Sequence, residues 1–264
     1  MYIGLAIMVA ITLLPLVWML SASLKLEQDV FTVPIQWIPS NPQWSNYTKI
    51  WTKIPLALFT FNTFKLTIII TAIQLFTSSF AAYGFAKCHF RGRDMLFLCY
   101  VATIAIPWQV YMLPQYTLMN KFGLVDTHLS IILLQSFTAF GVFLIRQFYL
   151  SIPDELLEAA RIDGLNEYGI YFRMVLPLSK PALATLTIFS FVAVWNDFMG
   201  PMIYFNSTSL KTIQLGVKMF ISQYSAEYGL IMAASVVSLI PVLIVFLAFQ
   251  RFFVEGVASS GLKG

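Results

Sequence analysis

The charged residues of this chain fall in clusters, and long runs without any charged side chain separate them: Met1–Leu24, Leu66–Ala86, Met95–Asn120, Thr127–Ile145, Pro181–Asn196 and Tyr228–Gln250. A helix needs roughly 20 consecutive apolar residues to cross the hydrocarbon layer, and a soluble core helix rarely sustains such a run. The fifth run reaches that length only if Asp197 is tolerated in the bilayer, when it extends to about Phe205. Backbone polar groups find no water in hydrocarbon, so helices are the expected spanning elements. A porin-like barrel would show short alternating segments instead. Charged residues make up 11% of the chain, against about a quarter in a soluble domain. The expected fold class is therefore an all-α integral membrane protein with six transmembrane helices.

The first run also fits a secretory signal peptide, because Ser21-Ala22-Ser23 resembles a small-residue cleavage site. No Lys or Arg precedes it and it is longer than a usual signal core, so a retained helix is the favoured reading. The net charge of +4 would suggest nucleic acid in a soluble chain; here orientation explains it better, and no nucleic-acid partner is expected. The tight connection Lys87–Arg93 (KCHFRGR) carries three basic residues and belongs in the cytoplasm by the positive-inside rule. Six crossings then put the 146–181 loop and both termini on the same side. That side holds Lys87, Arg91, Arg93, Arg146, Arg161, Arg173, Lys180, Arg251 and Lys263. The other holds Lys25, Lys49, Lys53, Lys121, Lys211 and Lys218, while Lys65 can snorkel from the start of the second helix. Cys88 in a turn and Cys99 in a helix imply no disulfide framework.

The organisation follows from the runs. The first helix covers 1–24, an external loop 25–59, a five-helix core 60–253 and a cytoplasmic tail 254–264. The external loop is rich in proline, at positions 34, 39, 42 and 55, which argues against a regular element there. Its Trp37, Trp44 and Trp51 suit a membrane–water interface. Asn46-Tyr47-Thr48 and Asn206-Ser207-Thr208 fit the glycosylation pattern, a triplet that often arises by chance. Pro107 and Pro114 in the third run, and Pro241 in the last, mark either helices that change shape or fixed kinks. The chain has neither a phosphate-binding GxxxxGK[ST] loop nor an HExxH zinc motif, so its energy source lies elsewhere.

Residues 151–181, SIPDELLEAARIDGLNEYGIYFRMVLPLSKP, are too polar to span and too well punctuated for a tether. Ser151 and Asp154 look like a capping box, with Pro153 acceptable in a first turn. Leu156, Leu157, Ala159 and Ala160 follow at helical spacing, Gly164 stops the helix, and Asn166 can cap a second one ending near Leu176-Pro177. Two such short helices are marginal in water unless their apolar faces are covered. Ala159 and Ala160 would allow close approach of another protein, inside a rim of Glu155, Glu158, Asp163, Glu167, Arg161 and Arg173 that can fix register. The alternative is a loop that packs on its own helices or lies on lipid.

The run Glu158-Ala159-Ala160, then Gly164, then Met174-Val175-Leu176-Pro177 resembles the EAA loop of permease subunits of ABC importers. That family's pattern is EAA, three residues, G, nine residues and I-x-L-P; the only departure is Met174 for isoleucine. Asp163 and Pro181-Ala182-Leu183 also look similar to it, as does VAVWNDFMGPMIY at 192–204 to the W-N-[DE]-F-x-x-P segment of carbohydrate-uptake permeases. The sequence from Tyr228 to the terminal Gly-Lys-Gly is similar to the end of the six-helix second permease of such systems, the maltose-system type. The resemblance implies a type I ABC importer permease fold in a bacterial-type inner membrane. It implies an ATPase-docking loop formed by Glu158, Ala159, Ala160, Asp163, Gly164, Leu176 and Pro177. The implied partners are a second permease, two ATP-binding subunits and an extracellular or periplasmic sugar-binding protein. ATP would be hydrolysed by the partner, this chain binding no cofactor, holding no metal and doing no chemistry, and a sugar or oligosaccharide would move by alternating access.

Within the fifth run, Trp195, Asn196 and Asp197 are the candidate substrate path. An ionisable group inside a membrane helix is costly and faces protein or water, and an aromatic ring beside amide and carboxylate groups suits a sugar. An interhelical hydrogen bond and an interfacial Trp would explain the same residues. Gln74, Gln109 and Gln135 are weaker candidates, and His89 and His128 fall in connections. The rival functions are an ABC permease for a polyol or glycerol-phosphate-type solute, which should require Lys or Arg in the cavity, and an ATP-independent channel or membrane enzyme, which leaves the EAA spacing unexplained.

Overall fold

Hydrocarbon forces each apolar run to satisfy its own backbone, and helices dominate the computed structural model, which describes residues 2–221 and 226–261, with side chains as far as Arg251. Met1 and the Lys263-bearing end of the tail lie outside the described residues. In chain order the helices are α1 (Tyr2–Ser23), α2 (Ser45–Lys53), α3 (Leu56–Lys87), α4 (Arg93–Ala102), α5 (Trp108–Lys121), α6 (His128–Gln135), α7 (Ala139–Leu150), α8 (Asp154–Ile162), α9 (Glu167–Ile170), α10 (Leu176–Leu178), α11 (Lys180–Trp195), α12 (Met199–Tyr204), α13 (Ile213–Lys218) and α14 (Tyr228–Gly261). A π-helical turn, Tyr171–Val175, joins α9 to α10.

Among the described residues, four segments are long and apolar enough to span: α1, α3, His128–Leu150 and Tyr228–Arg251. The third expected span is a bent pair, and the fifth meets the end of the loop before it at a second bend. Arg93–Ala105 meets Trp108–Lys121 at 99°, and Glu167–Leu178 meets Lys180–Trp195 at 76°. At the first break Pro107 disfavours helical geometry in the residue before it, and Ile106 is extended, with φ −89° and ψ 110°. Pro107 therefore breaks the span, whereas Pro114 and Pro241 sit inside α5 and α14. The fifth run does not continue to Phe205 as one helix. It stops at Trp195 and restarts at Met199 as α12.

The chain divides into two compact units. The first is drawn from Met1–Thr63 and Asn206–Leu243. In it α1 stays exposed until Ser21-Ala22-Ser23. The proline-rich segment is more regular than its composition suggests, because its prolines leave 45–53 free to form α2. Asn46 on α2 donates from Nδ2 to the carbonyls of Ser23 (3.0 Å) and Lys25 (3.1 Å), so its amide is committed to packing. The Glu27 carboxylate accepts from the backbone of Tyr228 and Gly229 at the N-terminus of α14, where the helix dipole favours negative charge. Trp37, Trp44 and Trp51 are exposed.

The second unit is drawn from Phe64–Phe205 and Ile244–Gly264. Its core gathers Ala82, Tyr83, Val142, Ile145, Tyr149, Leu157, Ile170, Tyr171, Val175 and Leu186. Aromatic hydroxyls buried this way need partners, and one Ser79 hydroxyl meets both Tyr149 (2.7 Å) and Tyr171 (2.8 Å). A Cβ on Gly141 would stand 2.4 Å from Ser78 Oγ, so α3 and α7 approach there only through glycine.

Candidate functional site

The loop at 151–181 folds as two helices, and its motif spacing has a local cause. The last turn of α8 closes with Gly164 N donating to Arg161 O and Leu165 N to Ala160 O, both at 3.0 Å. This is a Schellman stop, which places one residue in the left-handed region; Gly164 has φ +86°. Leu165 packs against the core cluster that contains Ala160, the apolar contact expected of such a stop. Ala160 is thus buried and holds the loop together, while Ala159 faces outward. Asn166 caps α9, its Oδ1 accepting from Gly169 N at 2.8 Å. The expected capping box does not form: Ser151 Oγ donates back to Phe148 O, and no side chain caps α8. Pro177 lacks an N–H, and the turn before it is wound as π, a form that recurs at functional sites.

Two polar ties fasten this loop to the end of α3. The buried Lys87 Nζ donates to Ile152 O and to Asp154 Oδ1, both at 2.6 Å. Tyr83 donates to Glu167 Oε2 at 2.5 Å, and Arg161 Nε donates to the other oxygen at 2.9 Å. The hydrogen bond from Lys87 holds the Asp154 carboxyl below the usual range, and the bonds from Arg161 and then Tyr83 do the same for Glu167. Burial pushes the neighbouring Cys88 thiol up. The ties from Lys87 and Tyr83 left no sign in the sequence, since their partners lie 65 to 84 positions away. Outward from the ties the loop presents Leu156, Ala159, Ile162, Tyr168 and Phe172, with Ile162 86% exposed. Glu158, Asp163, Gly164 and Pro177 are also exposed, and Leu176 is half-buried.

Of the second group of candidates, Asp197, Gln74 and Gln135 meet at a cavity of about 410 Å³ within the same unit. Asp197 Oδ2 accepts from Gln135 Nε2 at 2.6 Å and Oδ1 from Gly200 N at 3.0 Å. Gln74 Nε2 donates to Gln135 O at 2.6 Å. Gln74, Gln135 and Asp197 line the cavity together with Trp108, Tyr111, Gln115 and Tyr204. Trp195 is elsewhere: fully buried, edge-on to Phe64 and stacked on Phe191. Asn196 is exposed at the end of α11, its amide donating to Val192 O. The i, i+3, i+7 spacing of Trp108, Tyr111 and Gln115 could have flagged one helix face from sequence; only the fold sets that face at the same cavity as Asp197.

With this geometry, the family model for the binding-protein-dependent transport system inner membrane component matches residues 1–259. The chain is 35% identical to the arabinooligosaccharides transport system permease protein AraQ of Halalkalibacterium halodurans, over 99% of this chain and 95% of that one. It is 30% identical to the lactose transport system permease protein LacG of Rhizobium radiobacter, over 98% and 94%. It is 34% identical to the sn-glycerol-3-phosphate transport system permease protein UgpE of Yersinia enterocolitica, over 98% and 95%. A chain of a bacterial ABC transporter involved in the import of the acidic polysaccharide alginate superposes with a TM-score of 0.84 at 25% identity, covering 96% of this chain and 94% of that one. The relatives are permeases rather than enzymes, and this multi-pass helical chain belongs to the family of inner-membrane components of binding-protein-dependent transport systems.

Proposed function

We propose that the chain is one of two permease subunits of an ATP-driven importer for a sugar or oligosaccharide, and that its 151–181 loop docks an ATP-hydrolysing partner in the cytoplasm. One observation carries this: Ile162, Leu156 and Ala159 stand outward on a loop that buried bonds fasten to α3. Exposed apolar side chains grouped on a polar surface mark an interaction site, and the ties offer a route by which movement of the loop reaches a membrane helix. Two ATP-binding subunits, a second permease and an external solute-binding protein complete the assembly. The solutes for which the relatives are named, arabinooligosaccharides and lactose among them, support a saccharide cargo.

The test replaces Ile162 with Glu in the assembled transporter. The side chain is already in solvent, so the permease should keep its own thermal stability. ATP-binding subunits should no longer co-purify, and saccharide uptake into proteoliposomes should fall at least tenfold. Unchanged co-purification and uptake would remove the docking role.

A further inference from the structure

We infer that the cavity around Asp197 is a solute-contact subsite that selects uncharged, hydroxyl-rich rings over anions. This deepens the saccharide-importer reading and rests on it. Its volume of about 410 Å³ falls at the small end of the roughly 300–1,000 Å³ of small-molecule sites.

Three independent features point to a ligand of that chemistry. The first is an unmet need. Tyr204 is 1% exposed and lines the cavity, yet its phenol oxygen has no hydrogen-bond partner among the described residues. Buried hydroxyls are normally satisfied; this one is closed to solvent at the cavity wall, and a small turn of the ring on solute entry would give it a hydroxyl partner. The second is a fixed acceptor. The partners of Asp197 all donate, Gln135 Nε2 to Oδ2 and Gly200 N to Oδ1, with the Met199 N–H beside them, and a carboxylate has lone pairs to spare for a further donor. Gln74 in turn pins the backbone of Gln135, so the acceptor is preorganised. Gly200 makes that position possible, because a Cβ there would lie 2.4 Å from Asp197 Oδ2. The third is the balance of charge. Among the described residues lining the cavity there is no Lys or Arg, and Asp197 is the one charged group. A phosphate or carboxylate entering would meet an unscreened negative charge in a low-dielectric wall with no cation to offset it. Trp108 and Tyr111 add aromatic surface for the apolar face of a ring, and Trp108 Nε1 is already bonded to Gln115 Oε1 at 2.9 Å.

The experiment uses the assembled transporter in detergent without its external binding protein, so that any selectivity belongs to the membrane part. Equilibrium dialysis measures binding of radiolabelled arabinotriose, lactose and sn-glycerol 3-phosphate. At least one saccharide should bind saturably and glycerol phosphate should not. Tyr204→Phe and Asp197→Asn should each weaken saccharide binding at least fivefold, and Asp197→Asn should also admit glycerol phosphate. Gly200→Ala, which shifts the carboxylate without removing it, should weaken saccharide binding too. Co-purification of the ATP-binding subunits reports assembly for every variant. Assembled variants that bind saccharide like the parent overturn the subsite, as does a parent that binds glycerol phosphate as well as sugar or binds no saccharide. Failure of the parent to hold ATP-binding subunits would instead strike the importer reading itself.

Discussion

Gly164 illustrates how one residue fixes a motif. A Cβ at this position would meet nothing within 4 Å, yet the backbone sits at φ +86°. The demand is conformational, so it comes from the helix stop and not from crowding within the chain. A left-handed residue other than glycine costs roughly 1–2 kcal/mol, and Asn tolerates the region better than Ala. Gly164→Ala should therefore loosen the end of α8, with faster amide exchange at 160–165 and fewer ATP-binding subunits retained, while Gly164→Asn should lie between Ala and the parent. Equal effects of Ala and Asn would point to a space requirement at a partner surface. The alanine before the stop, Ala160, shows the limit of reading a motif as a surface. Spacing located it, but only its place in the core cluster shows that it faces inward.

The α8–α9 pair is held by α3 as much as by its own turns. Lys87→Met should leave the buried Ile152 carbonyl without its donor, a loss of about 1–3 kcal/mol, seen as faster exchange through α8 and weaker coupling of ATP hydrolysis to uptake. The acid response follows from the same bonds. Asp154 and Glu167 are held below their ordinary values, so their contribution is complete above the unfolded carboxylate value of about 4. It is lost as pH falls through the lowered folded values. Exchange in α8, corrected for intrinsic rate, should stay flat from neutral pH to about pH 5 and rise only below about pH 4, a rise that Lys87→Met should blunt. A loop that loosens near pH 6 would exclude these ties as its anchor. Hydropathy found the elements on either side of the loop, whereas the side chains that join them are separated by 67 and 84 positions.

Across the molecule, the orientation proposed from Lys87, Arg91 and Arg93 can be read directly. In a background lacking Cys88 and Cys99, His89→Cys, an exposed site just after α3, should react with a membrane-impermeant maleimide in inside-out vesicles and not in right-side-out ones. Reaction from the outer side would invert the topology and remove the loop from reach of cytoplasmic ATP. The number and rough placement of the spans were legible in the sequence, because the cost of burying a charge in hydrocarbon is local and leaves its mark residue by residue. The helix stop at Gly164 and the cap at Asn166 were legible for a similar reason, each depending on bonds within a few residues. The 99° break at Pro107 could be suspected but not measured, since a proline in a membrane helix is compatible with a kink or a full interruption. Neighbouring helices decide between them. The cavity was the least legible part. Trp195 looked like its aromatic wall and is packed away, while Trp108, Gln135 and Tyr204 line the cavity with Asp197 from separate helices. Sequence alone set what must leave water; which polar groups then meet was settled by long-range packing, where a side chain's partner depends on the approach of helices far apart in the chain.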